Sequence, residues 1–550
     1  MPLPSAADVV RLRPVLFVGL LALVAAAPAR ATLAAYQADR RIAPGTLPPG
    51  GRTVLVLTAP GNGFADGQVS VVGAGGPLAW DTAAAPELVA RTSFFTVART
   101  HVAGRLVPDP LPPLDPAAGG QRVIFLRIST VGLAPGVYRG LLDVGAETMP
   151  VALTVFSYAL PPKTTGFRTL FEIQPEAYFE RVNPADPLAA GQASNRALYQ
   201  LLSDYRIAPA EWGFGTPGRK VVYKDGYDWY TRRGTLMRIE ANMGFNTLRL
   251  PLSTQHQASG AWVGGASPRD PATWAPWLAK VRPFWLQNAW QDRAVAWAWD
   301  EPGRRQFPLL AAQARALHAS FPEAKLLSTA SPSPSNRFLW DGGANDLDSW
   351  AVLSRRFYGQ YDDAWGRYRS IEALRRAHKE LWSYTYHGVP GSPGYDATEP
   401  LTDPRLFFAW NAIEGTAGTL YADGMVTYKR LDPWTSLPDA GQSVFIYPGT
   451  PDAPAPVSSL RLEAIRDGVQ DANLFEAYRA RFGRSGLVRL LGQNGLFVAR
   501  DGQLILGCVH GCGRFAWTKY SFPLWQHAER AASDGLEGAR LRALVALSGP

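Results

Sequence analysis

From Phe167 to Tyr421 the chain repeats one alternation: a short apolar run, then an amphipathic stretch long enough for a helix. The apolar runs are Phe167–Ile173, Ala208–Trp212, Thr247–Leu250, Ala294–Trp299, Lys325–Thr329, Ser349–Leu353, Leu381–Tyr386 and Gly415–Tyr421. Helical patterns fall at Gln192–Tyr205, Tyr230–Met243, Pro276–Gln287, Gln306–Ser320, Tyr361–His378 and Pro404–Glu414. Short runs without a polar face, closed by turn residues, read as strands covered on both sides. Eight of them separated by helices predict a (β/α)8 TIM barrel, whose chemistry gathers at the C-terminal strand ends.

Residues before this region read differently. Arg52–Thr58, Gln68–Val72, Ser93–Arg99, Gln121–Ser129, Val137–Val144 and Met149–Ser157 are short, β-rich runs set apart by Gly and Pro clusters. Their spacing predicts a β-sandwich that ends at Pro161-Pro162. The N-terminus has the pattern of a signal peptide: Arg11 and Arg13, an apolar Val15–Ala27, then Ala29-Arg30-Ala31. The division expected is a signal peptide over 1–31, a β-sandwich over 32–162, a catalytic barrel over 163–482 and a β-hairpin with a helix over 483–550. The protein is therefore expected to be exported, periplasmic or extracellular, with no stable membrane insertion after cleavage.

At the end of the fourth run stands Trp299-Asp300-Glu301-Pro302-Gly303. Two adjacent carboxylates closing a buried strand are costly, because desolvation and mutual repulsion act on both. Such a pair can keep one carboxyl protonated as a general acid. Neighbouring side chains on an ideal strand point to opposite faces, so both serve one site only where the strand stops, as Pro302-Gly303 implies. A plain helix-capping loop is the competing reading.

Other features are exclusions. The +9 formal charge is dispersed, with no basic run, so no nucleic-acid partner is expected. No His-Glu-x-x-His, Gly-x-Gly-x-x-Gly or phosphate loop occurs, and no cofactor or metal is expected. Cys508 and Cys512 are the two cysteines; with His510 they offer too few ligands for a metal, and a local disulfide is expected in an oxidising compartment. The 18 Trp suit both cores and sugar-stacking surfaces.

Several motifs in order give a family resemblance: Pro108-Asp109-Pro110-Leu111, Ala134-Pro135-Gly136-Val137-Tyr138-Arg139-Gly140, Trp299 to Pro302, Trp382 to Tyr386, Leu420-Tyr421, Asp432-Pro433-Trp434, Tyr447-Pro448-Gly449 and Arg461 to Gly468. The chain resembles DUF4091-type glycoside hydrolases, related to glycoside hydrolase family 123. The resemblance implies a β-sandwich before a (β/α)8 barrel. It also implies exo-acting, retaining cleavage of β-linked 2-acetamido-2-deoxy sugars, N-acetylgalactosaminide-like, in which the acetamido oxygen is the nucleophile. Glu301 would then be the acid/base and Asp300 would hold the acetamido N–H. Tyr384 or Tyr386 would bond the acetamido oxygen. Asn246, Trp299, Trp410, Tyr421 and Trp434 are further candidates for the glycan, and Arg461 to Asp467 reads as a structural ion-pair helix.

Two alternatives stand beside this. One is a glycosidase for sugars without a 2-acetamido group, with a nucleophile from another strand end such as Glu172 or Asp423, about 5–10 Å from Glu301. The other is a non-catalytic carbohydrate-binding envelope protein on the same barrel.

Overall fold

The computed structural model describes residues 33–173 (without 74–75 and 84), 182, 187–210, 242–250, 270–354 (without 344), 364–385, 394–421, 432–437, 441, 443–500, 503–506 and 522–549. The cysteine pair, Trp212, Tyr386 and Asp423 lie outside them.

The first 160 residues form strands β1 (Leu33–Gln37), β2 (Leu55–Gly61), β3 (Phe64–Val71), β4 (Leu78–Asp81), β5 (Thr92–Thr96), β6 (Arg99–Val102), β7 (Arg105–Pro108), β8 (Pro110–Leu111), β9 (Arg122–Ser129), β10 (Gly136–Val144) and β11 (Glu147–Ala159). Two four-stranded sheets result, ordered β1-β3-β9-β5 and β2-β11-β10-β4. The first is antiparallel throughout; in the second, β2 runs parallel to β11. Alternate residues of both sheets, among them Val69, Ile124 and Leu126 facing Leu142, Val151 and Leu153, share one apolar cluster, as the period of two demands.

The second region carries β12 (Arg168–Phe171), α1 (Pro187–Asp204), β13 (Leu248–Arg249), α2 (Trp274–Gln287), β14 (Ala294–Trp297), α3 (Phe307–Ser320), β15 (Lys325–Ser328), β16 (Ser349–Leu353), α4 (Ala364–Arg376), β17 (Glu380–Thr385), α5 (Thr402–Glu414) and β18 (Gly418–Tyr421). Seven strands form one parallel sheet in the order β12-β18-β17-β16-β15-β14-β13, so the first strand pairs with the last and the sheet curls on itself. The run expected as the second strand is present as a single bridge, Phe171 to Pro209. Ala208 O accepts from Phe171 N at 2.9 Å and Ala210 N donates to Phe171 O at 2.7 Å; Pro209 itself has no N–H for a longer ladder.

Inside the curl lies a small cluster of Leu170, Ala210, Val295, Trp297, Leu327, Ala351, Leu353, Trp382, Tyr384 and Leu420. Residues between them in sequence, such as Ala296, Ala298, Leu326, Val352 and Tyr421, belong to the larger cluster under the helices. The interior place that β13 would fill holds Arg249, whose guanidinium lies 5.2 Å from the Trp297 ring centre and reaches Ala210 O at 3.2 Å.

Short strands β19 (Ser436–Leu437) and β20 (Ser458–Ser459) pair with β6 and β8 of the first region. Helix α6 (Leu460–Gly492) follows, broken at Gly483 (φ +75°); Ser459 caps it by accepting from Leu462 N at 3.1 Å. Then come the hairpin of β21 (Phe497–Arg500) and β22 (Gln503–Leu506) and the helix α7 (Phe522–Ser548), which packs on α5 and α6 through Leu536, Ala539 and Leu544. Among the described residues no helix is long and apolar enough to cross a membrane.

Candidate functional site

Strand β14 ends at Trp297, three residues before the carboxylates. Ala298 N still donates to Leu327 O at 2.8 Å, after which the chain leaves the sheet. Glu301 takes a left-handed backbone with φ +40°. For a residue with a Cβ this costs on the order of 1–2 kcal/mol, and it breaks the up-down alternation that would send Asp300 and Glu301 to opposite faces. Burial, expected of both, covers Asp300 only in part and leaves Glu301 exposed, because the pair lies beyond the strand.

A residue that sequence reasoning missed holds the turn. The Thr329 hydroxyl donates to Asp300 Oδ1 at 2.7 Å and accepts from the Glu301 N–H. It sits just after the neighbouring strand β15, and only 3% of its surface is exposed. Ser328 extends the clamp by donating to Trp299 O at 2.7 Å. One strand end thus fixes both carboxylate-bearing residues of the next. Nothing in the sequence around Thr329 marks it; only the β14–β15 register brings it there.

Tyr384, on β17 and facing the barrel interior, donates its hydroxyl to Glu301 Oε1. Oε1 is thereby an acceptor, and Oε2 is the oxygen left to carry or receive a proton. Beside Glu301 opens a cleft of about 580 Å³, lined by Arg304, Phe307 and Thr329 and by the Ser331 to Ser335 loop. The arrangement offers an accessible carboxyl beside a second, half-covered one, each held by a buried hydroxyl group.

The remaining candidates are dispersed. Trp299 is half-buried and packs outward against the main core. Asn246 precedes β13 at the N-terminal end of the sheet, and its amide is used on Phe167 O at 2.7 Å; that position corrects the expectation of a substrate contact. Trp410 is 2% exposed on α5 and packs on Phe407, with ring centres 5.6 Å apart, so it is a core residue and no sugar platform. Tyr421 is 1% exposed, surrounded by Phe171, Tyr395 and Phe445, and is likewise core. Trp434 is half-buried; its indole N–H donates to Pro448 O at 3.1 Å, and its loop is tied to β6 by Thr100 Oγ1, which donates to Pro433 O. Glu172 follows β12, with its N–H donating to Tyr421 O at 3.0 Å. Among the described residues no group of three His, Cys, Asp or Glu side chains could hold a metal ion.

No family model matches the chain, and no curated protein matches it. Among solved structures, a family 10 xylanase with a bacterial Ig-like domain, from termite gut, aligns at 8% identity over 77% of this chain and all (100%) of its own, TM-score 0.30. An endo-β1,6-glucanase aligns at 11% identity over 59% of this chain and 81% of its own, TM-score 0.35. A family 123 glycoside hydrolase from Clostridium perfringens, studied for glycolipid glycan hydrolysis, aligns over 94% of this chain and 97% of its own at TM-score 0.63 and 11% identity, so the two share a fold over nearly their whole length.

Proposed function

We propose that the protein is a glycoside hydrolase with Glu301 as its general acid/base and Asp300 as the partner carboxylate. The observation that carries this reading is the turn after β14, where a left-handed Glu301 lines a cleft and the Thr329 hydroxyl holds both it and the adjacent Asp300. The shared fold with a family 123 enzyme supports it.

Adjacent carboxylates suit one kind of displacement better than another. In the common retaining scheme two carboxyls face each other across the bond, roughly 5–5.5 Å apart, one as nucleophile. Residues next to each other on one turn instead suit an internal nucleophile. Asp300 holds the N–H of a 2-acetamido group so that its carbonyl oxygen attacks the anomeric carbon; Glu301 protonates the departing oxygen and then takes a proton from the incoming water. Tyr384 orients Glu301 through Oε1, a different task from the acetamido contact that the resemblance implies for Tyr384 or Tyr386. We therefore favour exo-acting, retaining cleavage of β-linked 2-acetamido-2-deoxy sugars. The test is hydrolysis of paired aryl β-glycosides bearing a 2-acetamido or a 2-hydroxyl group, with Glu301→Gln as control. Turnover confined to the acetamido set and lost in the variant is the expected result. Turnover of the 2-hydroxyl set would transfer the nucleophile to another strand end.

A further inference from the structure

Between the first-region sheet and the barrel, on the side of the helix-to-strand turns and so away from Glu301, lies a cavity of about 330 Å³. Five cationic side chains line it, Arg91, Arg127, Lys163, Arg206 and Arg466, against a single lining carboxylate, Asp204. Three of the cations are matched. Arg127 pairs with Glu463 at 3.0 Å, Arg466 with Asp66, Glu463 and Asp467, and Lys163 with Asp204 at 2.5 Å.

Arg206 is not. It is 8% exposed, and among the described residues no carboxylate lies within ion-pair distance of it. Its guanidinium reaches two carbonyl oxygens at long range, Asn62 O at 3.3 Å and Pro162 O at 3.5 Å. Burial pulls its pKa down to about 10. The left-handed turn after α1, with φ +60° at Arg206, sets this side chain at the seam. Arg91, on the rim, gives one N–H to Val131 O and is also without a carboxylate among the described residues. A buried cation without a counter-charge is unfavourable unless something compensates it.

We propose that this cavity is an oxyanion site, in which Arg206 and Arg91 bind a phosphate or sulfate group and thereby fasten the first region to the barrel. The volume admits a tetrahedral oxyanion with a few waters, or a single sugar residue carrying one. The anion comes either free from solution or as the acidic substituent of a glycan. The site is independent of the catalytic reading, since none of its residues belongs to the Glu301 cleft.

The test is thermal unfolding of the full protein titrated with sodium phosphate, and separately sodium sulfate, against sodium chloride at matched ionic strength. A ligand bound only by the folded state raises Tm saturably, by about 2–3 °C at a hundredfold excess over Kd for a chain of this size. The expected result is a saturable rise with phosphate or sulfate beyond that with chloride, abolished in Arg206→Gln and weakened in Arg91→Gln. Arg206→Gln without anion is expected to match or exceed the wild-type Tm, because it removes the uncompensated charge. If that variant does not fold, Arg91→Gln with calorimetric phosphate titration decides alone, a Kd raised at least about tenfold (~1.4 kcal/mol) supporting the site. Identical shifts with chloride, or an undiminished response in the Arg91 and Arg206 variants, overturn the proposal. A hexose 6-sulfate binding tenfold tighter than sulfate assigns the glycan source; equal or weaker binding assigns the free anion.

Discussion

At Glu301 a single backbone angle decides what the sequence pattern can do. A carboxylate pair at the end of an apolar run is visible by reading along the chain; the φ of +40° at Glu301, which turns the chain there, is not. Nor is Thr329, which lies 28 residues from Glu301 and reaches it only through strand pairing. This assigns Thr329 a positioning role with a distinctive signature. Thr329→Val removes the donor to Asp300 and the acceptor for Glu301 N–H while keeping the shape. We expect kcat on the acetamido glycoside to fall by about 10–100-fold with KM changed far less, since misplacement by about 1 Å is enough for such a loss. Thr329→Ser should restore most of it. Equal losses in kcat for both variants, or a loss confined to KM, would refute the clamp. Tyr384→Phe is expected to lower kcat as well, and to change its pH profile, since it frees Glu301 Oε1 from its donor.

Among elements, the strands were legible because parallel strands apolar on both faces leave a plain trace; all the expected runs from Phe167 to Tyr421 lie in the sheet or, at Pro209, bridge to it. Aromatic side chains were not legible in the same way. Trp410 could be core or platform because α5 is buried on every side, pressed between the sheet and α6, and such a helix has no polar face to betray its orientation. The same enclosure traps charge. Arg405 of α5 meets Asp39, Asp471 and Glu537, while Arg540 of α7 meets Asp471 and Glu537. Three carboxylates share two cations, and burial pushes Asp471 up to about 6 against the pull of Arg405 and Arg540. The folded state therefore holds a proton that an unfolded Asp, with a value near 3.9, releases earlier. Between about pH 4 and pH 6 the folded chain binds more protons than the unfolded one, so this group's contribution to stability declines as pH rises and is level above that window. Asp471→Asn should flatten that part of the Tm–pH curve; an unchanged slope would place the proton elsewhere.

For the molecule as a whole, the question is whether the two regions fold as one. Asp109, between β7 and β8, is fully buried at the seam. Arg461, at the start of α6, bonds both its oxygens at 3.0 and 2.8 Å, and Tyr447 OH donates to Oδ2 at 2.8 Å. The other Arg461 donors go to Tyr395 O, Gly441 O and Val444 O, so the guanidinium is fully satisfied only when sheet, barrel loops and α6 are together. Two positions down that helix, Glu463 joins Arg127 of β9, and Arg466 joins Asp66 of β3. Burial pushes the Asp109 carboxyl up, but the Arg461 guanidinium outweighs it by charge and hydrogen bonds and holds it below the ordinary carboxylate range. Its contribution is thus complete above the unfolded value of about 4 and is lost as pH falls through the lower folded one. Breaking such a pair from one side strands a buried charge, at a cost of about 3–5 kcal/mol. Arg461→Met is therefore expected to lower the stability of sheet and barrel together, as one calorimetric transition displaced to lower temperature. Asp109→Asn in the same background should cost far less than it does alone, because its main partner charge is already gone and only the more distant Arg41, at 3.8 Å, remains. A first region that melts separately in the wild-type protein would show the seam to be a contact between independent units; additive losses in the double variant would show that Arg461 and Asp109 act apart.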